Sequence, residues 1–521
     1  MRRTQASSRH GYFLCLLLIF AAALFLRAWR IAEVPDIVHI DEAGLGRNAW
    51  CLANYGIDRY FNELPIYPEN FGGGQSPLYT YLVVILIRTV GRGSLGLTLL
   101  RLPGLLSSMV VVVFGTALLE VVYESRKAAL TGALLLTFCP YFIMHGRYAL
   151  DCNLMLGCST VALYLLARYV KSGRLSWLIA YSAAFGAVMY SYALSYFVVP
   201  IFLCLITLYM LWCRKITLRR ALLSAALVCA AAFPVLLFIG TMVFGLPSMK
   251  FLGFTLSPTA SSRLADISIA NFRNNIIDIL KYTLTHDGRP LDAVDGFYTL
   301  YPISIPFVAI GFAASCRQSL SSFRKRTYRH GFLFLSFYAA GLVAIGFSRG
   351  YLYRANYLFI AYLYFLVSGI LAAYRFAKSL GKYLCAALGI AYLLSAAMFI
   401  GYYFTSYSPA EAIPQFVPAN DAIEYAKSLP DIREIYMDYS DVDEFYTLFF
   451  PESPYTIAET AHQEGYGRLH FRITEDTAFA PGNAYIILKN HTALRSRIEG
   501  AGYPWQIVEY PYHCLYYAEP E

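Results

Sequence analysis

Five short stretches of this sequence carry residues that could do chemistry together. The first is VHIDEAGLGRNAW (38–50), which holds the adjacent acids Asp41 and Glu42. It follows directly on a long apolar run, so two carboxylates sit against a bilayer surface. A carboxylate under apolar cover holds a proton more tightly than one in water, which suits general-base work. One acid of such a pair can take a proton while its neighbour orients substrate. The plainer reading is a solvated acid pair, or an acidic first turn on the helix AGLGRNAWCLANYG, where the helix dipole favours negative charge. The second stretch, FGGGQSPLYTYL (71–82), is a glycine hinge into a helix that Pro77 starts well. Gln75 and Tyr79 within it are candidate substrate contacts. The third, MHGRYALDCN (144–153), places Arg147 and Asp151 four apart, where residues of one helix share a face and can pair. The fourth, FSRGYLYRANYLF (347–359), offers Arg349 and Arg354 as partners for a lipid phosphate, or as interfacial cations that merely snorkel. In the fifth, His286 and Asp287 precede Asp292 and Asp295. This patch could bind a metal or a sugar, or be a solvated turn around Asp287 and Gly288.

The elements that position these residues are mostly membrane spans. Of 521 residues, 58% are hydrophobic and only 14% charged, and mean hydropathy is +0.49. Soluble chains carry roughly a quarter charged residues, so this is a polytopic membrane protein. The net charge of +9 is spread over loops between apolar runs and does not suggest nucleic-acid binding. The 11 cysteines form no CxxC pair and fall mostly inside apolar runs, where they act as small hydrophobes. Runs long enough to span occur at 9–30, 99–122, 127–145, 149–169, 174–191, 193–212, 220–243, 299–316, 331–347, 351–373 and 382–403. The run 77–90 is too short. If it does not cross, the basic clusters at Arg2/Arg3/Arg9, Arg126/Lys127, Arg168/Lys171/Arg174, Arg214/Lys215/Arg219/Arg220, Arg317 to Arg329 and Arg375/Lys378/Lys382 all fall on one side. That predicts eleven spans, a cytoplasmic N-terminus and an external C-terminus. The external loops then run over about 31–98 and 244–298, with an interfacial helix in the second.

Residues 1–404 therefore read as the membrane domain. Residues 405–521 turn polar enough to be soluble and read as a small external α/β domain. In it, NDAIEYAKSL and TALRSRIEGAGY suggest helices, and REIYMDY, YTIAE, LHFRIT and NAYIILK suggest strands. GRGSLG (91–96) matches a dinucleotide fingerprint but lacks the strand and βαβ setting it needs. Asn490-His491-Thr492 matches a glycosylation acceptor, at a length where chance matches are common.

The order of these features resembles the GT-C membrane glycosyltransferases, in the branch of protein O-mannosyltransferases and aminoarabinose transferases. That family has an Asp-Glu pair after the first span, then a loop ending in a Pro-Leu-Tyr-like helix. An Arg-Leu-Pro (here LLRLPGLL, 99–106) opens the next span. Arg147 with Asp151 and the segment YRANYLF follow in the family's order. The resemblance covers the first 160 residues or so well and the late spans loosely. It implies an all-α polytopic GT-C fold with about 11 transmembrane helices, in the plasma membrane of a bacterial cell envelope. It implies a donor sugar on a polyprenyl monophosphate, membrane lipids as surroundings, and an acceptor that is a protein, glycan or lipid, with no nucleic acid. Asp41 would deprotonate the acceptor hydroxyl, with inversion at the sugar. Arg354 and then Arg147 would hold the phosphate. Glu42 and Asp151 would orient the acceptor or hold a divalent cation; no cofactor is otherwise implied. One departure stands out: the aminoarabinose enzymes carry a phosphate-contacting lysine where this chain has Ser76. The rival readings are a lipid-linked-sugar transporter, which would need charges along a midplane path, and a membrane scaffold whose external domain binds cell-envelope partners.

Overall fold

The computed structural model describes residues 2–70, 74–257, 269–285, 289–348, 350–438, 465–466, 468–470 and 473–520. The expected strand YTIAE and the site candidates His286 and Arg349 lie outside the described residues.

The chain opens with α1 (Arg2–Ala28), then α2 (Ile40–Tyr55), which Gly56 closes in the left-handed conformation at φ 76°. Helix α3 (Pro77–Leu86) starts on its proline and runs into a π-turn at Ile87–Gly91. The bundle continues with α4 (Leu97–Tyr123), α5 (Arg126–Phe138), α6 (Pro140–His145), α7 (Asp151–Ser172), α8 (Leu175–Val188), α9 (Ser195–Trp212), α10 (Leu218–Ala231) and α11 (Phe233–Phe244). A two-stranded hairpin, β1 (Met249–Phe251) with β2 (Phe254–Leu256), and the amphipathic α12 (Phe272–Leu284) occupy the second long loop. Helices α13 (Ile305–Lys325), α14 (His330–Gly346), α15 (Phe359–Phe376) and α16 (Gly381–Thr405) complete the bundle.

Among the described residues, seven helices are long and apolar enough to cross a membrane, or eight if the bent pair α10–α11 counts as one span. Three of the eleven expected spans differ from that standard for visible reasons. The run 127–145 is divided between α5 and α6, because Pro140 cannot continue the α5 hydrogen-bond ladder. Helices α8 and α14 have only 14 and 17 residues. Proline also explains the 72° bend between α10 and α11, since Pro234 occupies the first turn of α11. The run 77–90 is helical, short and non-spanning by length, as expected.

The bundle is tightest where α13 crosses α15. A methyl group on Gly311 would collide with the Phe365 carbonyl, and one on Gly369 with the Phe307 carbonyl. Only the absence of a side chain permits that approach.

Among the described residues the C-terminal region forms a six-stranded mixed sheet in the order β4-β5-β3-β6-β8-β7. Its strands are β3 (Glu434–Met437), β4 (Gly465–Tyr466), β5 (Leu469–His470), β6 (Asn483–Leu488), β7 (Gln506–Glu509) and β8 (His513–Tyr517). Strand β3 runs parallel to β5 and β6, and β8 pairs antiparallel with β6 and β7. Helix α17 (Asn420–Ser428) covers one face and α18 (Thr492–Glu499) the other. The α17 face also shares a core with Val38 and Ala43, at the start of α2. The C-terminal sheet is therefore packed directly on the acidic helix.

Gly311→Ala should lower the thermal stability of the detergent-solubilised protein by about 1–3 kcal/mol through overpacking. Gly389→Ala, on α16 with open space around it, should leave stability unchanged or raise it. Equal melting temperatures for the two variants would show that α13 and α15 do not need this contact.

Candidate active site

Asp41 and Glu42 are neighbours in sequence and have opposite surroundings. His39 is the N-cap of α2: its Nδ1 accepts the Asp41 backbone N–H at 3.0 Å, while its own N–H donates to Glu42 Oε2 at 2.9 Å. This is a reciprocal capping box with histidine in the place usually held by serine or threonine. Glu42 is 0% exposed. Its Oε1 accepts Arg101 Nε at 3.0 Å and the Ala149 N–H. Arg101 also donates to the Ile31 carbonyl at 2.8 Å and the Ile37 carbonyl at 2.6 Å. The Glu42 carboxylate is thus saturated. The Asp41 side chain is 24% exposed, and among the described residues its carboxylate accepts no hydrogen bond; the nearest side-chain nitrogen recorded is His39 Nδ1 at 3.8 Å. One acid is a strut and the other is open.

Asp151 is the first residue of α7, where the helix dipole favours its charge. Its Oδ2 accepts the Ser76 N–H at 3.1 Å, and the neighbouring Gln75 side chain donates to the Asp41 carbonyl at 3.0 Å. The 75–76 segment therefore bridges the two acids. Tyr79 serves the frame: its hydroxyl donates to the Leu100 carbonyl and accepts the Gly104 N–H, each at 3.0 Å, so it ties α3 to α4.

Arg147 and Asp151 do not share a helix face, because α6 ends at His145 and α7 begins at Asp151. Arg147 is fully buried and donates to the carbonyls of Leu26, Arg27, Trp29, Arg30 and Val34 at 2.6–3.0 Å. It satisfies the orphan carbonyls at the end of α1. The sequence reading of Arg147 as a phosphate ligand gives way here to a structural placement.

Arg354 lies 5.1 Å from the Tyr351 ring centre and is joined there by Arg289, at 3.8 Å from the same ring. Arg289 escaped the sequence reading because it sits inside the acidic patch 286–295. A narrow cleft is lined by His39, His145, Tyr148, Leu150, Asp292 and Tyr353, among others. Asp41, Arg354 and Asp292 are all close enough to act electrostatically on the Tyr353 hydroxyl. His145 Nε2 is 3.7 Å from Asp292, and its Nδ1 is 3.3 Å from Asn153 Oδ1. Asp292 comes from the acidic patch that the sequence marks, whereas His39, His145 and Tyr353 were missed; for His39 the only signal was its place two residues before the acid pair. Among the described residues no three His, Cys, Asp or Glu side chains converge to hold an ion. In the loop after α2, burial pushes the Asp58 carboxyl up, against the hydrogen bonds from Asn62 and Tyr60.

An open apolar groove of about 1020 Å³ runs down the bundle from this region. Its walls include Leu78 and Leu82 of α3, Leu106 and Val110 of α4, Val161 of α7 and Ala187 of α8. The segment before Leu78 touches Asp151, so the groove begins close to the acids.

The seat of Asp41 is completed by the C-terminal region. The Val38 N–H donates to the Phe416 carbonyl at 2.9 Å, and the rings of Phe416 and Tyr353 each lie 5.8 Å from the His39 ring.

His39→Ala should raise amide hydrogen exchange at Asp41 and Glu42 by roughly tenfold, the usual scale of a lost N-cap. His39→Asn, which keeps a capping acceptor, should restore most of the protection. Unchanged exchange in the alanine variant would show that the cap does not hold this turn.

Residues 75–238 match the family model described as dolichyl-phosphate-mannose-protein mannosyltransferase. A comparison with curated proteins returns no match. The structure is similar to ArnT from Cupriavidus metallidurans bound to undecaprenyl phosphate, with TM-score 0.54, 14% identity, and 97% of this chain and 99% of that one covered. It is also similar to the oligosaccharyltransferase of Archaeoglobus fulgidus in complex with Zn and sulfate, with TM-score 0.54, 13% identity, and 84% of this chain but only 61% of that one covered. AglB from the same organism, in complex with an inhibitory peptide and a dolichol-phosphate, gives TM-score 0.50 at 12% identity, covering 85% of this chain and 64% of that one. The chain is a multi-pass membrane protein with the GT-C glycosyltransferase fold, and its segment 75–238 carries the mannosyltransferase-family match.

Proposed function

We propose that this protein transfers a sugar from a polyprenyl-monophosphate carrier to an acceptor hydroxyl at the outer face of the membrane. The observation that carries the reading is the open Asp41 carboxylate, held on a saturated frame and joined by Gln75 to the start of α3, which lines an apolar groove. The solved structures similar to this one include ArnT with undecaprenyl phosphate and AglB with a dolichol-phosphate, which agrees with a lipid-linked donor.

In this reading the lipid chain lies in the groove between α3, α4, α7 and α8. Asp41 takes the proton of the acceptor hydroxyl. The oxygen attacks the anomeric carbon from the face opposite the phosphate, and the bond from that carbon to the phosphate oxygen breaks. The electron pair leaves with the lipid phosphate, and the configuration inverts. Arg354 and Arg289, gathered on Tyr351, face the charge that develops there. A positioned base contributes typically 10²–10⁴-fold and electrostatic stabilisation a further 10²–10³-fold. Ser76 is buried and brings no cation, so the arginines take the part that lysine plays in the aminoarabinose enzymes. Glu42 acts only by holding α2, and Asp151 by orienting the 75–76 bridge. The N-terminus faces the cytoplasm in this arrangement, and the C-terminal sheet lies outside, over the site.

Membranes carrying the wild-type chain should consume a polyprenyl-phosphate sugar, and Asp41→Asn should do so at least ~100-fold more slowly at unchanged thermal stability. Equal consumption by both would remove Asp41 as the base, and no consumption by either across a range of sugars would leave the scaffold reading. In the same assay, Val161→Trp should fill the groove. It should raise KM for long-chain donors while sparing a short-chain analogue; an equal effect on both would place the lipid elsewhere.

A further inference from the structure

The opposite end of α13 carries a different kind of site. Between Asp295 and Glu411 the sequence has no acidic residue, yet it has Arg317, Arg324, Lys325, Arg326, Arg329, Arg349, Arg354, Arg375, Lys378 and Lys382. Three of these cations, Arg317, Lys325 and Arg329, line an open groove of about 1090 Å³ together with Gln318, Ala313 and Ala314. It lies where α13 ends and turns into α14. From Ile305, at the other end of α13, it is some 12 to 20 residues away, or about 18–30 Å at 1.5 Å per residue.

Four other basic residues at this end of the bundle are already engaged. Lys171 pairs with Glu124 at 2.6 Å, Arg168 stacks on Trp177, Arg126 on Tyr12 and Arg326 on Trp212. Among the described residues the side chains of Arg317, Lys325 and Arg329 have neither a carboxylate nor a ring partner. Three like charges around one groove repel one another, and an anion would relieve that repulsion. The far wall explains which anion. Ala313 and Ala314 are small and apolar, and the same helix exposes Ile310 and Phe312 towards the surroundings of the bundle. A ligand that meets both walls has a charged head and an apolar tail.

We propose that this groove is a binding site for an anionic phospholipid of the inner leaflet. The phosphate head lies among Arg317, Lys325 and Arg329, and an acyl chain follows Ala313 and Ala314 along α13. Basic pockets between helices on the cytoplasmic side are a known physical means of holding such headgroups. The site is separate from the groove assigned to the donor lipid, which lies among α3, α4, α7 and α8.

The test uses the full chain in nanodiscs of phosphatidylcholine with a minor share of phosphatidylglycerol, and counts retained lipids by native mass spectrometry. The wild type should retain phosphatidylglycerol. The Arg317→Gln/Lys325→Gln/Arg329→Gln variant should bind it on the order of 100-fold more weakly. A control, Arg214→Gln/Arg219→Gln/Arg375→Gln, removes equal charge outside the groove and should retain the lipid. Ala313→Trp, which fills the apolar end without changing charge, should also lose it. Equal loss in the groove and control variants would reduce the effect to general surface charge and overturn the site. Full displacement by millimolar glycerol phosphate would make it a site for a soluble anion and overturn the lipid assignment.

Discussion

The buried pair of Glu42 and Arg101 is the interaction on which the rest of the site depends. Taking two charges out of water is costly, and their attraction compensates only when the remaining donors and acceptors are satisfied as well. Here they are. Glu42 also receives N–H groups from His39 and Ala149, and Arg101 also reaches the carbonyls of Ile31 and Ile37. One ion pair thereby fixes four pieces of chain: the turn after α1, the first turn of α2, the start of α4 and the approach to α7. Removing either partner would strand a full charge in the interior, so the frame is held or lost as a unit.

That frame explains why two adjacent acids diverge. On a helix, successive side chains point about 100° apart, so a pair such as Asp41 and Glu42 can place one member inward and the other outward. Residue type and spacing mark the pair as worth attention. They do not say which member is spent on structure. The same limit applies to the arginines. Arg147 looked like a cation for substrate, yet all of its donors go to backbone carbonyls at the end of α1. Arg289, among acids, drew no attention, yet it shares the Tyr351 ring with Arg354. A guanidinium with five donors can serve carbonyls or phosphate equally well, and only the fold decides.

The membrane part was legible because hydropathy and the placement of basic residues are strong signals over long runs. What escaped was local. Pro140 and Pro234 interrupt runs that hydropathy reads as continuous. In the C-terminal region α17, β3, β6 and α18 lie where their patterns suggested, whereas β7 and β8 were not anticipated. The short β7, with the pattern QIVE, is largely exposed, and β8 is buried along its length, so neither shows a clean alternation. The docking of this sheet on the start of α2 has no sequence signature, because the contacts join residues more than 370 positions apart.

That separation has a consequence for how the protein comes into being. Asp36 is held by Ser408 and the Ala410 N–H, and Val38 by Phe416. Asp41 is made early in synthesis, and the segment that seats its turn is made late. A chain still on the ribosome, with its first spans already inserted, carries the acid but not its seat. The turn that carries Asp41 is therefore completed only after the last span has delivered the segment 408–416 to it.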